Sequence, residues 1–169
     1  MSVFAAFEAI VRATRNVGEG QSAASSTAPQ HPFDERNIHP LISAVSLKLF
    51  DDGHYSQATF EAFKYLDLVV KTLSGVNDTG YKLMMAAFSE NGPKIRLTDL
   101  VTTSDTDEQL GFKFIFAGVM SAIRNPRGHD IKNDPIHRCL DHLSIASVLL
   151  RRIEERKEPP LTAALPPVL

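Results

Sequence analysis

Apolar positions recur every three to four residues through most of this chain, and short polar or Gly/Pro-bearing breaks separate the runs. That spacing stacks side chains on one face of an α-helix. Phe4, Phe7, Val11 and Thr14 follow it and predict a helix over residues 2–16. A second is predicted over 38–51, IHPLISAVSLKLFD, stopped at Asp51, Asp52 and Gly53. The third, over 55–73, carries two adjacent stripes: Ala58, Ala62, Tyr65 and Val69 beside Phe63, Leu66, Val70 and Leu73. Two stripes make a broad apolar face, which places this helix at the centre of the fold. A short helix is predicted over 80–88, and the following KIRLTDL alternates weakly, as an extended excursion or a short hairpin would.

Asp105 and Glu108 have capping-box spacing and open a helix through GFKFIFAGVMSAI. Leu110, Phe114, Ala117 and Ser121 form one of its stripes; Phe112, Phe116, Val119 and Ile123 form the other. Pro126 disfavours helical geometry at Asn125, and Gly128 permits positive φ, so this helix is expected to end at or near Arg124. The last helix, over 135–157, has a heptad-like seam of Ile136, Cys139, Leu143, Ala146, Leu150 and Ile153. Pro159 and Pro160 close it.

Between the first two helices lies GEGQSAASSTAPQHP, without an aromatic or large aliphatic residue, which cannot bury enough surface to offset its ordering entropy. The expected organisation is all-α. An N-terminal amphipathic helix (1–17) is tethered by a flexible linker (18–32) to a bundle of four to five core helices (33–158), with a Pro-rich tail (159–169). At 169 residues, 43% of them apolar, the chain has room for one core. A formal charge of −2 provides no overall basic field, so any nucleic-acid contact must come from a local patch. One cysteine excludes an internal disulfide framework and fits a reducing cytosol. No stretch approaches the roughly 18 apolar residues of a membrane helix. A soluble, cytoplasmic protein without membrane association is expected.

Chemistry concentrates in RNPRGH, residues 124–129, between the two best-defined helices. Arg124 continues the Leu110 stripe and should emerge at the edge of the core. Arg127, Lys132 and Arg138, with His129 and His137 nearby, form a local basic patch diluted by Asp130, Asp134 and Asp141. A guanidinium presents a planar fork of donors to phosphate oxygens, and an imidazole transfers protons near neutral pH. The same residues have a structural reading, since an Arg near a helix C-terminus stabilises exposed carbonyls and Asn-Pro with Gly commonly reverses a chain.

Other candidates are weaker. On a continuous helix His137 and Cys139 point about 200° apart, so with His142 they make no credible metal site, and neither metal nor cofactor is expected. Glu61 reads as an edge carboxylate paired with Lys64. Tyr55, Tyr65 and Tyr81 lack the spacing of a stacking platform. Gly111 and Gly118 fall inside a helix, as close-packing positions.

The run Arg-Asn-Pro-Arg-Gly-His resembles the Arg-x4–6-His motif of the HEPN superfamily, including the polar residue directly after the Arg. The helix entering it, GFKFIFAGVMSAIRNPRGHD, is similar to that of an abortive-infection-like branch. GHYSQATFEAFKYLDLVV resembles the family's long central helix and CLDHLSIASVLLRRIEE its closing helix, so the likeness covers roughly residues 37–156. Members of that superfamily are commonly metal-independent endoribonucleases acting as toxins or antiviral effectors; others are inactive modules that bind nucleotide, RNA or a partner protein. The resemblance implies Arg124 and His129 as a catalytic pair, with Asn125 orienting or contacting phosphate. Arg127, Lys132 and Arg138 would then bind RNA phosphates. It also implies RNA as substrate, a homodimer pairing its motifs, and an antitoxin or defence-system partner. Where some of these toxins carry a nucleotidylated Tyr two residues after the His, this chain has Ile131.

Overall fold

A computed structural model describes residues 30–129 and 133–156. The chain divides into two compact units between Gln30 and His31, and every helix described belongs to the second. The expected N-terminal helix, most of the linker and the Pro-rich tail lie outside the described residues, as do Asp130, Ile131 and Lys132.

All regular structure among the described residues is helical: α1 (Pro32–Glu35), α2 (Pro40–Asp51), α3 (Tyr55–Ser74), α4 (Gly80–Ala87), α5 (Thr103–Val119), a π-helical turn (Met120–Arg124), α6 (Asn125–His129) and α7 (Ile136–Glu154). The all-α expectation is met. As its double stripe predicts, α3 is central: Ala58, Ala62, Phe63, Leu66, Val69 and Val70 are fully buried. It packs against α2, α4, α7 and the π-turn. On α7 the predicted seam from Cys139 to Ile153 is buried, while its first member, Ile136, stays 44% exposed. Each large side chain so buried contributes about 1.5–3 kcal/mol. Phe88, just past α4, stacks on Phe116 of α5 with centroids 4.2 Å apart.

Two His-Pro pairs begin helices in the same way. The Nδ1 atoms of His31 and His39 accept from the amides of Phe33 and Leu41, each at 3.1 Å, and Pro32 and Pro40 occupy the first helical position. Proline costs nothing there, because that N–H has no intrahelical partner. With Nδ1 accepting, the ring proton sits on Nε2, which donates to Asp51 from His31 (3.0 Å) and to Glu154 from His39 (3.1 Å). Pro32, read from sequence as the end of the linker, therefore begins α1, whose Phe33 is buried in the core.

The segment after α4 is neither strand nor hairpin. The amides of Lys94 and Ile95 both donate to the Ala87 carbonyl, at 3.0 and 2.9 Å. The rest is held by Gln109 of α5, whose side chain is wholly buried. Its Oε1 accepts from the Leu97 amide (2.9 Å), and its Nε2 donates to the carbonyls of Phe88 (3.2 Å) and Ile95 (3.1 Å). One amide thus satisfies three backbone groups that no ladder pairs. The capping box also falls three residues earlier than expected. The Thr102 hydroxyl accepts from the Asp105 amide, and the Asp105 carboxylate accepts from the Thr102 amide. Glu108, assigned to the box from spacing alone, instead pairs with Arg152 at 2.7 Å.

Gln109→Ala strands three buried backbone groups, each costing about 1–3 kcal/mol. It should lower unfolding free energy in urea by roughly 3 kcal/mol or more. A loss under about 1 kcal/mol would show that Gln109 does not organise the 88–102 segment.

Candidate functional site

The segment 124–129 does not reverse the chain. Asn125 is helical, with φ −61° and ψ −45°, and its amide reaches back five residues to the Met120 carbonyl. The expectation of a helix ending at Arg124 is therefore corrected: α5 widens into one π-turn and runs on as α6 to His129. The physical reason lies in Pro126. In unbroken α-geometry its ring would meet the carbonyl four residues back, and its missing N–H would orphan that carbonyl. A π-turn shifts the bonding register immediately before the proline, which then sits in the first turn of α6, where it is tolerated.

Gly128 likewise serves a purpose other than positive φ. A Cβ built there would lie 3.0 Å from Cε2 of Phe60 on α3, so the glycine permits close approach of α6 to that ring. Arg124 lies over the same ring, its Cζ 5.5 Å from the centroid. That is within the reach of a cation–π attraction. Its Nη1 donates to the Asn125 Oδ1 at 3.2 Å, and its Nε is buried without an acceptor among the described residues. Asn125 in turn faces the start of α4: a Cβ on Gly80 would lie 3.9 Å from its Oδ1. The Gly80 amide is held by the buried Asp67 carboxylate at 2.6 Å. The His129 side chain is exposed and makes no hydrogen bond or ion pair among the described residues.

Arg127 requires a second correction. The sequence casts it as a phosphate-binding cation, yet its side chain is only 8% exposed and forms a bidentate pair with Asp134, itself 3% exposed. Nε and Nη2 donate to the two carboxylate oxygens at 2.6 and 2.8 Å, and Nη1 donates to the Ile123 carbonyl at 2.6 Å. A guanidinium so engaged holds the fold instead of meeting a ligand. Burial alone would raise the Asp134 carboxyl, but the hydrogen bonds and charge of Arg127, aided by Ser56, outweigh it and hold that group below the ordinary carboxylate range. Nη2 of Arg127 also lies 3.3 Å from Nδ1 of His142. Burial first, then the Arg127 charge, push the His142 imidazole below its ordinary value, so the neutral ring accepts that contact.

Of the remaining predicted cations, Arg138 is 57% exposed and 3.8 Å from Asp134, and Lys132 lies outside the described residues. Glu61 pairs with Lys64 at 3.0 Å, as its spacing indicated. The side chains of His137, Cys139 and His142 have separate surroundings: solvent, the core, and the Arg127 pair. Sequence reasoning missed Phe60 and the pairing of Asp134. The available signal for Phe60 was an aromatic on the central helix outside both core stripes; for Asp134 it was an acid seven residues after an arginine.

By fold, the described region is an all-α protein organised around one central helix, with its candidate site on a π-interrupted helix end. The chain belongs to the family described as protein of unknown function (Hypoth_ymh), which matches it over residues 36–153. That span includes the whole 124–129 segment. No curated protein and no solved structure matches the chain. Among the described residues no helix is long and apolar enough to cross a membrane.

The two arginines should separate in stability measurements. Arg127→Ala leaves a buried carboxylate uncompensated and should cost about 3–5 kcal/mol in urea unfolding. Arg124→Ala, which loses one exchangeable hydrogen bond and a cation–π contact, should cost about 1–2 kcal/mol. Equal losses would contradict the assignment of Arg127 to the fold.

Proposed function

We propose that this protein is a metal-independent endoribonuclease of toxin or antiphage-defence type, acting through Arg124 and His129. The observation that carries this reading is the contrast between two arginines on one helix end. Arg127 is consumed by internal acceptors, whereas Arg124 meets an aromatic face and one neutral amide and faces no carboxylate among the described residues. A half-buried guanidinium without an anionic partner among the described residues is suited to an external anion, and an exposed imidazole follows on the next turn. The likeness of this segment to the HEPN Arg-x4–6-His motif supports RNA phosphodiesters as that anion.

The chemistry follows from the groups present. The RNA 2′-oxygen attacks the adjacent phosphorus as its proton passes to a base. The 2′-O–P bond forms, the P–O5′ bond breaks, and the departing 5′-oxygen takes a proton from an acid. His129 supplies a proton acceptor or donor. Arg124 neutralises charge on the non-bridging oxygens, with Asn125 orienting its fork. The products carry 2′,3′-cyclic phosphate and 5′-hydroxyl ends, and DNA, lacking the 2′-OH, is not cut.

In-line displacement places the attacking and leaving oxygens on opposite sides of phosphorus, so one imidazole cannot readily serve both. We therefore propose a homodimer that supplies the motif twice across a two-fold axis. The exposed faces of α5 and α7 support this: Phe114, Ile115, Ile145 and Val148 are 53, 49, 37 and 59% exposed. The same exposed side continues through Gly118 of α5 and Ala122 of the π-turn towards the motif.

Arg124→Ala and His129→Ala should each lower RNA cleavage at least about 100-fold, with helical content retained. Wild-type cleavage should persist in excess chelator. If both variants cleave as wild type does, or if chelator abolishes cleavage and Mg²⁺ restores it, this function is wrong. A chain that binds nucleotide or RNA without cutting it would instead be an inactive module using the same arginine.

The shared site has its own test. A mixed dimer of wild-type and His129→Ala chains, isolated with two affinity tags, should fall far below half the wild-type rate. Half activity, or an active monomer by light scattering, would show that each chain carries a complete site.

A further inference from the structure

We infer that Phe60 is a positioning residue for Arg124, one ring that sets both the direction of the guanidinium and the seating of the helix end bearing His129. The inference rests on the ribonuclease reading for its catalytic consequence and on geometry for everything else. Phe60 is half-buried on α3 and touches the motif twice. Cζ of Arg124 lies 5.5 Å from the ring centroid, and Cε2 lies 3.0 Å from where a Gly128 Cβ would be. The first contact draws the cation towards the π-face by the ring quadrupole. The second seats α6 on the ring edge, at a distance no residue larger than glycine fits without displacement.

Nothing else in the described structure fixes the guanidinium as well. Its one hydrogen bond, to Asn125, is 3.2 Å long and involves Nη1; Nε is buried without an acceptor. An arginine held by a single neutral bond would sample several rotamers, each costing order at the moment of reaction. Stacking on Phe60 removes that freedom without an anionic partner that would compete with phosphate. Arg127, three residues on, shows the alternative: a carboxylate fixes it firmly and leaves it unable to bind another anion. An aromatic platform orients a cation and keeps its charge available.

The test uses the full chain with Phe60→Leu, Phe60→Met and Phe60→Tyr. Leu and Met keep apolar volume and remove the π-face; Tyr keeps the face. Two readouts are needed: kcat and KM on RNA, and the order of the Arg124 Nε–H by ¹⁵N relaxation, assigned against Arg124→Lys. Leu or Met should lower kcat about 10- to 100-fold. KM should change less than about threefold. The Arg124 Nε–H should become mobile, and Tyr should restore both rate and order. Should Leu fail to fold, Met decides. If the wild-type chain does not cut RNA, the functional reading fails, yet Nε–H order still decides the positioning role. An Arg124 side chain as ordered with Leu or Met as with Phe overturns the inference, and so does loss of kcat that Tyr does not restore. Gly128→Ala gives a coupled check: in the Phe60→Leu background it should cost little further order at Arg124, whereas additive losses would show that the two contacts are independent.

Discussion

The ion pair between Arg127 and Asp134 joins the end of the motif helix to the start of α7, and the geometry of the candidate site depends on it. Both side chains are nearly removed from water, so either one alone would be an uncompensated buried charge. That penalty discourages α6 from fraying, although it is only one turn long and carries a proline in its first turn. The same guanidinium also donates to the Ile123 carbonyl through Nη1 of Arg127. One side chain thus braces a one-turn helix and compensates a buried acid.

With Arg127 so engaged, Arg124 is the arginine of the motif left facing outward chemistry. The two are near neighbours on one helix, and what separates them is whom they meet. Arg127 meets a carboxylate that burial alone would push up and that the arginine holds down; Arg124 meets the face of Phe60 and the amide of Asn125. In a region of low dielectric the first arrangement is strong and closed, the second weak and open. Under the proposed function that difference is the functional content of the site, because a cation already satisfied by Asp134 could not also stabilise a phosphorane.

Elsewhere the fold relies on single polar side chains to replace regular backbone pairing. Gln109 organises the irregular segment between α4 and α5, and His31 and His39 begin helices with ring nitrogens while bonding distant acids through the opposite nitrogen. Each device places polar side-chain atoms where a strand or a Ser/Thr cap would ordinarily serve. Each is invisible to hydrophobic periodicity, since the group that matters contributes nothing to an apolar stripe.

Periodicity by itself determined much of this protein. The double stripe on residues 55–73 marked the central helix and the seam from Cys139 to Ile153 marked the closing one. Those properties follow from local spacing, which a linear pattern records. The stripe assigned to Arg124 is mostly exposed, at Phe114 and Ser121, so the half-burial of Arg124 comes from Phe60 and not from that stripe. The continuation of the helix past Pro126 was decided by tertiary structure, because the proline rule describes an isolated α-turn and a π-turn changes the bonding register on which it rests. Tertiary structure also decided that Arg127 is a fold residue, since the identity of a cation's partner depends on which acid the fold brings within 3 Å. Phe60 is the same case: no spacing along the chain connects it to Arg124 or Gly128, and only the docking of α6 on α3 makes one ring a neighbour of both.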